Sequence, residues 1–232
     1  MNIDTTTLRL PDDQYYKEAF TKHLIVIHHT VGSSAKSTLE FWKNTPERVG
    51  TAYIIERNGV IYEVFNPIYW CHHLGLKSAV NTQLNRASIG IELASEGALR
   101  SGEELNKKLG VDRFDPMYLY AFDIDVSPFA RAKKLYHKET DVEKYDDVGE
   151  YWRGYRYFDV YDPPQLDSLF GLVNHLCQTF NIPKRLLMGD RSRFDLSTVV
   201  GFEGVIGHCN VRNDKSDPSK SFSWTELEQT FV

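Results

Sequence analysis

Residues 23–30 read HLIVIHHT, an apolar, β-branched run that ends on two adjacent histidines. A run without polar alternation before His28 predicts a central strand buried on both faces. Neighbouring side chains on a strand point to opposite faces, so His28 and His29 cannot share one site unless a bulge intervenes. At most one of them is a ligand candidate.

On the C-terminal side of this strand, Ser37 and Glu40 have capping-box spacing ahead of Leu39, Phe41 and Trp42, which predicts a short helix beginning at Ser37. TAYIIER, the dipeptide Asn58-Gly59 and VIYEVF then predict a hairpin closed by a type I′ turn, because Asn and Gly tolerate positive φ. SIGIEL (88–93) alternates strictly, sending Ile89, Ile91 and Leu93 to one face and Ser88, Gly90 and Glu92 to the other. The strongest helix is predicted over 163–180. There Asp162 and Gln165 have capping-box spacing, two prolines fit the first turn, and Leu166, Leu169, Phe170, Val173, Leu176, Cys177 and Phe180 form one stripe. Asn181 and Pro183 stop it. A last strand is predicted at GVIGHC (204–209), followed by a polar loop and a short helix from Ser223, with Glu226 as its capping partner. Residues 97–160 are rich in charge and aromatics but lack clean periodicity. A structureless loop of that length is out of place in a compact domain, so the stretch is read as an inserted subdomain or lid within a single domain spanning 1–232.

The 232 residues suit one α/β domain with an insertion. With 41% hydrophobic, 13% aromatic and 25% charged residues, the composition supplies a sizeable core and an ordinary soluble surface, which excludes a disordered or fibrous chain. The formal net charge of −5 provides no positive field for phosphate backbones, so nucleic acid is not expected as a partner. Cys71, Cys177 and Cys209 are odd in number and form no CxxC pair, which argues for reduced thiols rather than a disulfide framework or a four-thiolate zinc knuckle. Cys177 falls on the helical stripe and is assigned to packing. The opening MNIDTTTLRLPDD lacks the basic and apolar regions of a secretory signal, and no later run is long enough to cross a bilayer. The chain is therefore expected to be made in the cytoplasm without a membrane span, its site of action left open.

On the strand expected at 204–209, parity turns His208 away from Cys209, which removes an adjacent His-Cys catalytic couple. A partner for His208 must come from elsewhere, and NVRNDKSDPSKSF supplies Asp214 and Asp217. His28 and His208 with one of these carboxylates make the borderline ligand set that suits Zn²⁺ and leaves a fourth position for water. Such a site is hydrolytic, since the metal lowers the pKa of bound water to ~7 and polarises a carbonyl oxygen. Glu92, on the polar face of its strand, is placed to take one proton and pass it to a leaving nitrogen. Each residue alone has a plainer reading: a hydrogen-bonded structural histidine, a solvated or ion-paired carboxylate.

Five blocks, LIVIHHT, GTAYIIERNGVIYEV, WCHHLG, NRASIGIEL and GHCNVRNDKSDPSKSFSW, occur in an order that resembles the zinc-dependent N-acetylmuramoyl-L-alanine amidases of type 2, relatives of the peptidoglycan-recognition proteins and of phage lysozyme-type amidases. The resemblance covers roughly 23–95 and 160–228 and leaves out the insertion. It implies an α/β fold with a mixed central β-sheet flanked by helices, and a zinc ion at the floor of a groove for a glycan-linked peptide. The implied reaction is hydrolysis of the amide between N-acetylmuramic acid and L-alanine in peptidoglycan or a muropeptide. By position, His28, His208 and Asp217 match the zinc ligands and Glu92 the general base. Lys215 matches an oxyanion-stabilising lysine, its plainer reading being a solvated loop lysine. Tyr53 matches an active-site tyrosine that would touch substrate, the alternative being a core aromatic. His73 resembles the groove histidine of the family's WHAG motif and would touch substrate, while His72 and Cys71 sit in the same loop. His29 is left as a packing or supporting residue.

The family's PGRKTDPGP stands here as RNDKSDPSK, which keeps Asp214 open as the alternative third ligand. The insertion would gate the groove, choose peptide stems or contact another protein. A different class of function is a non-catalytic muropeptide-sensing module, since some recognition relatives lack a metal ligand; the joint presence of His28, His208, Asp217 and Glu92 favours the enzyme. A cysteine hydrolase using Cys209 or Cys71 is disfavoured, because neither has an evident base with an orienting carboxylate.

Overall fold

A computed structural model of the chain describes residues 1–122 and 132–231; residues 123–131 of the expected insertion lie outside the described residues. The N-terminal half contains β1 (Ile3–Asp4), β2 (Leu24–His29), α1 (Ala35–Lys43), β3 (Tyr53–Ile55), β4 (Ile61–Glu63), α2 (Val80–Ala87) and β5 (Ser88–Leu93). Next come β6 (Ala98–Ser101), α3 (Gly102–Leu109), β7 (Tyr118–Phe122), β8 (Ala132–His137), β9 (Tyr145–Trp152) and β10 (Tyr155–Asp159). The chain returns through α4 (Pro163–Phe180) and the one-turn α5 (Leu196–Val199) to β11 (Gly204–Gly207), then ends with the one-turn α6 (His208–Val211) and α7 (Trp224–Gln229).

The first sheet runs β1-β4-β3-β5-β2-β11. It is mixed: β2 lies parallel to both β5 and β11, whereas β3 and β4 are antiparallel. All six residues of β2 are buried, as its unbroken apolar run demands. On one face, Ile25, Ile27, Ile89 and Ile91 pack with Leu169, Val173, Leu176 and Cys177 of α4. On the other, Leu24, Val26 and Ile206 pack with Leu84 of α2, Val199 of α5 and Val211 of α6. Burying each such aliphatic side chain contributes ~1.5–3 kcal/mol, so covering both faces fixes β2 at the centre. A mixed sheet flanked by helices is thus the architecture of the chain.

Residues 98–159 contain a second sheet, β8-β7-β6-β10-β9, whose neighbours are all antiparallel. Helix α3 closes over it, with Leu105, Phe114 and Tyr120 as a small core of their own. Among the described residues no helix is long and apolar enough to cross a membrane.

Several local expectations are corrected. Only Gly59 of the Asn58-Gly59 pair has positive φ (+85°), and its N–H donates to the Glu56 carbonyl at 2.9 Å. The hairpin is therefore closed by a three-residue loop with glycine at the bulge position, not a type I′ turn. Helix α1 begins at Ala35, and its cap is Ser34, three residues before Ser37, whose N–H donates to the Ser34 Oγ. The boxes expected at Asp162/Gln165 and Ser223/Glu226 make no side-chain cap, although both helices begin where predicted. The last strand stops at Gly207, and His208 opens a helical turn.

Candidate metal centre

Because β2 and β5 are parallel and in register, His28 sits directly beside Glu92 and both project from the same face, at the C-terminal end of their strands. The turn into α6 brings His208 to that face, and the following loop folds back so that the Cys209 N–H donates to the Asp217 carbonyl at 2.8 Å. The outcome is a buried triad. His28 Nδ1 lies 3.1 Å from His208 Nδ1 and 3.1 Å from Asp217 Oδ2, and His208 Nδ1 lies 2.9 Å from the same oxygen.

The surrounding hydrogen bonds assign the tautomers. His208 Nε2 faces the Leu74 carbonyl at 3.0 Å, an acceptor only, so Nε2 carries the proton and Nδ1 keeps its lone pair. For His28 the tautomer is set through His73, Ser88 and Leu84. Ser88 Oγ donates to the Leu84 carbonyl at 2.7 Å and therefore accepts from His73 Nε2–H at 2.8 Å. His73 Nδ1 then accepts from His28 Nε2–H at 2.9 Å, which leaves His28 Nδ1 bare. Glycine at position 90 makes room for this ring: a Cβ there would come within 3.1 Å of His73 Nδ1 and 2.6 Å of Thr51 Cγ2.

Three lone-pair acceptors thus converge within hydrogen-bond distance of one another. Burial pushes His28 down to about 4, so this ring takes up no second proton at neutral pH. Burial opposes the Asp217 carboxylate, but His208 and His28 beside it hold its pKa well below the usual range. An unshared cluster of acceptors is stabilised by a cation. The donor separations of 2.9–3.1 Å approach the ~3.3 Å edge of a tetrahedron with metal-ligand bonds of ~2.0 Å. Two imidazole nitrogens and one carboxylate oxygen therefore fit a divalent ion.

Glu92 stands against the triad with a buried Oε2 that has no hydrogen-bond partner among the described residues. Burial, reinforced by the Asp217 charge, raises its pKa well above an ordinary carboxyl, while the charge of half-buried Lys215 pulls the other way. Asp214 is not brought in: it is exposed and forked by Arg212 at 2.9 and 2.5 Å. Nor is Tyr53. It pairs with Ile91 rather than Glu92, and so occupies the α4 face, where its hydroxyl donates to Glu63 at 3.3 Å. His73 lies behind His28 as its hydrogen-bond partner. His29 points to the α4 face, where its Nδ1 shares a hydrogen bond of 2.9 Å with the Tyr161 hydroxyl; that oxygen accepts from the Ser219 N–H at 3.1 Å. The second histidine thereby supports the triad's loop from the opposite side of the sheet.

Ser88, Tyr161 and Asn85 carry no signal in the sequence that marks them as site residues. Asn85 Oδ1 accepts from the N–H groups of His73 and Leu74 at 2.8 and 3.2 Å, which holds the WCHHLG loop over the sheet. The thiols are all buried and free, and burial pushes Cys71 and Cys209 up to about 12, so neither supplies a thiolate.

A family model described as N-acetylmuramoyl-L-alanine amidase matches residues 19–220. The chain is similar in fold to the E. coli N-acetylmuramyl-L-alanine amidase AmiD, solved with the substrate anhydro-N-acetylmuramic acid-L-Ala-D-gamma-Glu-L-Lys, at 17% identity and a TM-score of 0.51, covering 93% of this chain and 60% of that one. It is also similar to PlyL (13% identity, TM-score 0.52, covering 100% of this chain and 97% of that one). A third likeness is to the catalytic domain of XlyA (14% identity, TM-score 0.51, covering 100% of each chain). No curated protein matches the chain.

Proposed function

Since the chain belongs to the N-acetylmuramoyl-L-alanine amidase family, we propose that it is a zinc-dependent enzyme that hydrolyses the amide between N-acetylmuramic acid and L-alanine in peptidoglycan or its soluble fragments. The observation that carries this reading is the convergence of His28 Nδ1, His208 Nδ1 and Asp217 Oδ2 within 3.1 Å of one another. Zn²⁺ is the ion this nitrogen-rich set suits, and when bound it supplies Lewis acidity toward a carbonyl and a lowered pKa for water. Glu92 is the proton carrier. Its unpartnered oxygen and raised pKa equip it to accept a proton from the attacking water and return it to the leaving L-alanine nitrogen. The Lys215 ammonium stabilises negative charge on the carbonyl oxygen as the tetrahedral centre forms. The reading is also supported by the E. coli relative, which was solved with a muramyl peptide.

The zinc-loaded chain should release L-alanyl peptides from a muropeptide, and chelation should stop it. Glu92→Gln should bind zinc like the wild type yet lose activity by ~10²–10⁴-fold. If the wild type binds the muropeptide with zinc present but releases nothing, the chain is a sensing module and the catalytic proposal fails.

A further inference from the structure

The β9–β10 hairpin ends in a two-residue turn, Arg153-Gly154, between the paired Trp152 and Tyr155. Both turn residues have positive φ, +53° and +83°, as a type I′ turn requires. Asn or Gly adopts that conformation readily, whereas an arginine there is strained. The strained residue's guanidinium lies 5.7 Å over the Trp152 ring of its own hairpin and reaches past it. Its Nη2 donates to the Cys209 carbonyl at 3.2 Å, and its Nη1 donates to the Asn213 carbonyl.

Those two carbonyls lie in the segment between His208 and Asp217. Cys209 directly follows His208, and its own N–H holds the Asp217 carbonyl. The Cys209 carbonyl belongs to a four-residue helix, whose terminal carbonyls lack intrahelical partners, and a planar guanidinium fork can meet it and the Asn213 carbonyl beyond the helix at once. Strand β9 runs on beside the same loop: Glu150 pairs with Lys220, and Asp146 Oδ2 accepts from Ser221 Oγ at 2.6 Å.

We propose that the inserted sheet is a brace for the metal loop, with Arg153 as the positioning residue that clamps the carbonyls of Cys209 and Asn213 and so holds His208 and Asp217 at ligand spacing. The proposal rests on the metal reading of the triad and adds a role for the second sheet. It accounts for an arginine at a position where Asn or Gly would relieve the turn.

The test uses the full chain and three measurements: zinc affinity by chelator competition, the visible spectrum of the Co²⁺-substituted protein, and thermal unfolding of the metal-free form. Arg153→Asn is the decisive variant, because Asn suits the left-handed turn while the fork is removed, together with the guanidinium's contact over the Trp152 ring at 5.7 Å. Its metal-free form should melt at or above the wild-type temperature, while its zinc dissociation constant rises about tenfold and its cobalt spectrum changes. Arg153→Lys keeps the charge without the fork and should fall between. Wild-type zinc affinity and an unchanged cobalt spectrum in Arg153→Asn overturn the brace alone. Failure of the wild type to bind zinc overturns the metal reading and the brace together.

Discussion

His28 is useful as a ligand only if the nitrogen facing Asp217 is unprotonated, and the His73–Ser88–Leu84 chain is what guarantees it. His73→Ala removes the acceptor for His28 Nε2–H, so the ring is free to adopt the other tautomer or rotate. Zinc affinity should fall ~10–100-fold, measured by chelator competition, with the metal-free fold intact; unchanged affinity would leave His73 no role behind His28. Much of this site is legible residue by residue. Strand parity alone separates His28 from His29 and puts Ser88 on the same face as Glu92. Tyr53 is beyond that logic, since its face relative to Glu92 depends on which residue of β5 it opposes. The pairing is Tyr53 with Ile91, and a slip of one residue would turn it toward the triad. Register between strands is set by tertiary packing, so one sequence does not encode it locally.

Elements are legible wherever a single periodicity dominates. Helix α4 spans Pro163–Phe180, the bounds its stripe predicts. Its expected cap does not form because long-range partners prevail over local ones: Asp162 pairs with Arg57 at 3.2 Å, and Gln165 Nε2 donates to the Ile55 and Ala94 carbonyls at 2.9 and 3.0 Å. The same competition hides Lys22, which precedes β2 and has the local pattern of an ordinary surface lysine. It is buried, and its Nζ donates to the carbonyls of Tyr69, Arg86 and Ser88 at 2.8, 2.8 and 3.2 Å, joining the start of β2 to the start of β5. Lys22→Met leaves those carbonyls without their donor and should cost ~2–3 kcal/mol in chemical denaturation. Burial also pulls this lysine down to about 7, from 10.5 in an exposed chain. Between those values the folded state binds fewer protons than the unfolded state, so stability rises with pH across that window. Wild-type stability relative to Lys22→Met should therefore climb from pH about 7 toward 10.5; a flat difference would mean the ammonium stays charged in the fold.

At the scale of the molecule, the stretch without a clear local signal is 97–160, and the reason is visible in its second sheet. Cation–aromatic pairs blur the apolar-polar alternation there: Arg100 lies 4.3 Å over the Tyr155 ring, Arg156 5.3 Å over Tyr157 and the Lys134 ammonium 3.4 Å over Tyr118. A strand whose half-buried positions are tyrosines stacked on cations gives no clean period of two. What joins this sheet to the first is equally invisible locally. Asp159, at the end of β10 and 1% exposed, accepts from the Tyr136 hydroxyl of β8 at 2.7 Å, from Ser95 Oγ at 3.0 Å and from the Glu96 N–H at 2.6 Å. It also pairs with Arg57 in the β3–β4 loop. One carboxylate thus links the hairpin of the first sheet, the crossover after β5 and two strands of the second. Asp159→Ala leaves three donors without their acceptor and Arg57 to Asp162, and leaving buried donors unsatisfied costs ~1–3 kcal/mol. If the two sheets form a single unit that braces the metal loop, the variant should unfold in one transition, shifted down, with zinc affinity weakened even where the chain is fully folded. Two separate transitions, with zinc still held after the first, would describe a lid that leaves the first sheet independently, and the hub would then tether the insertion without governing the site.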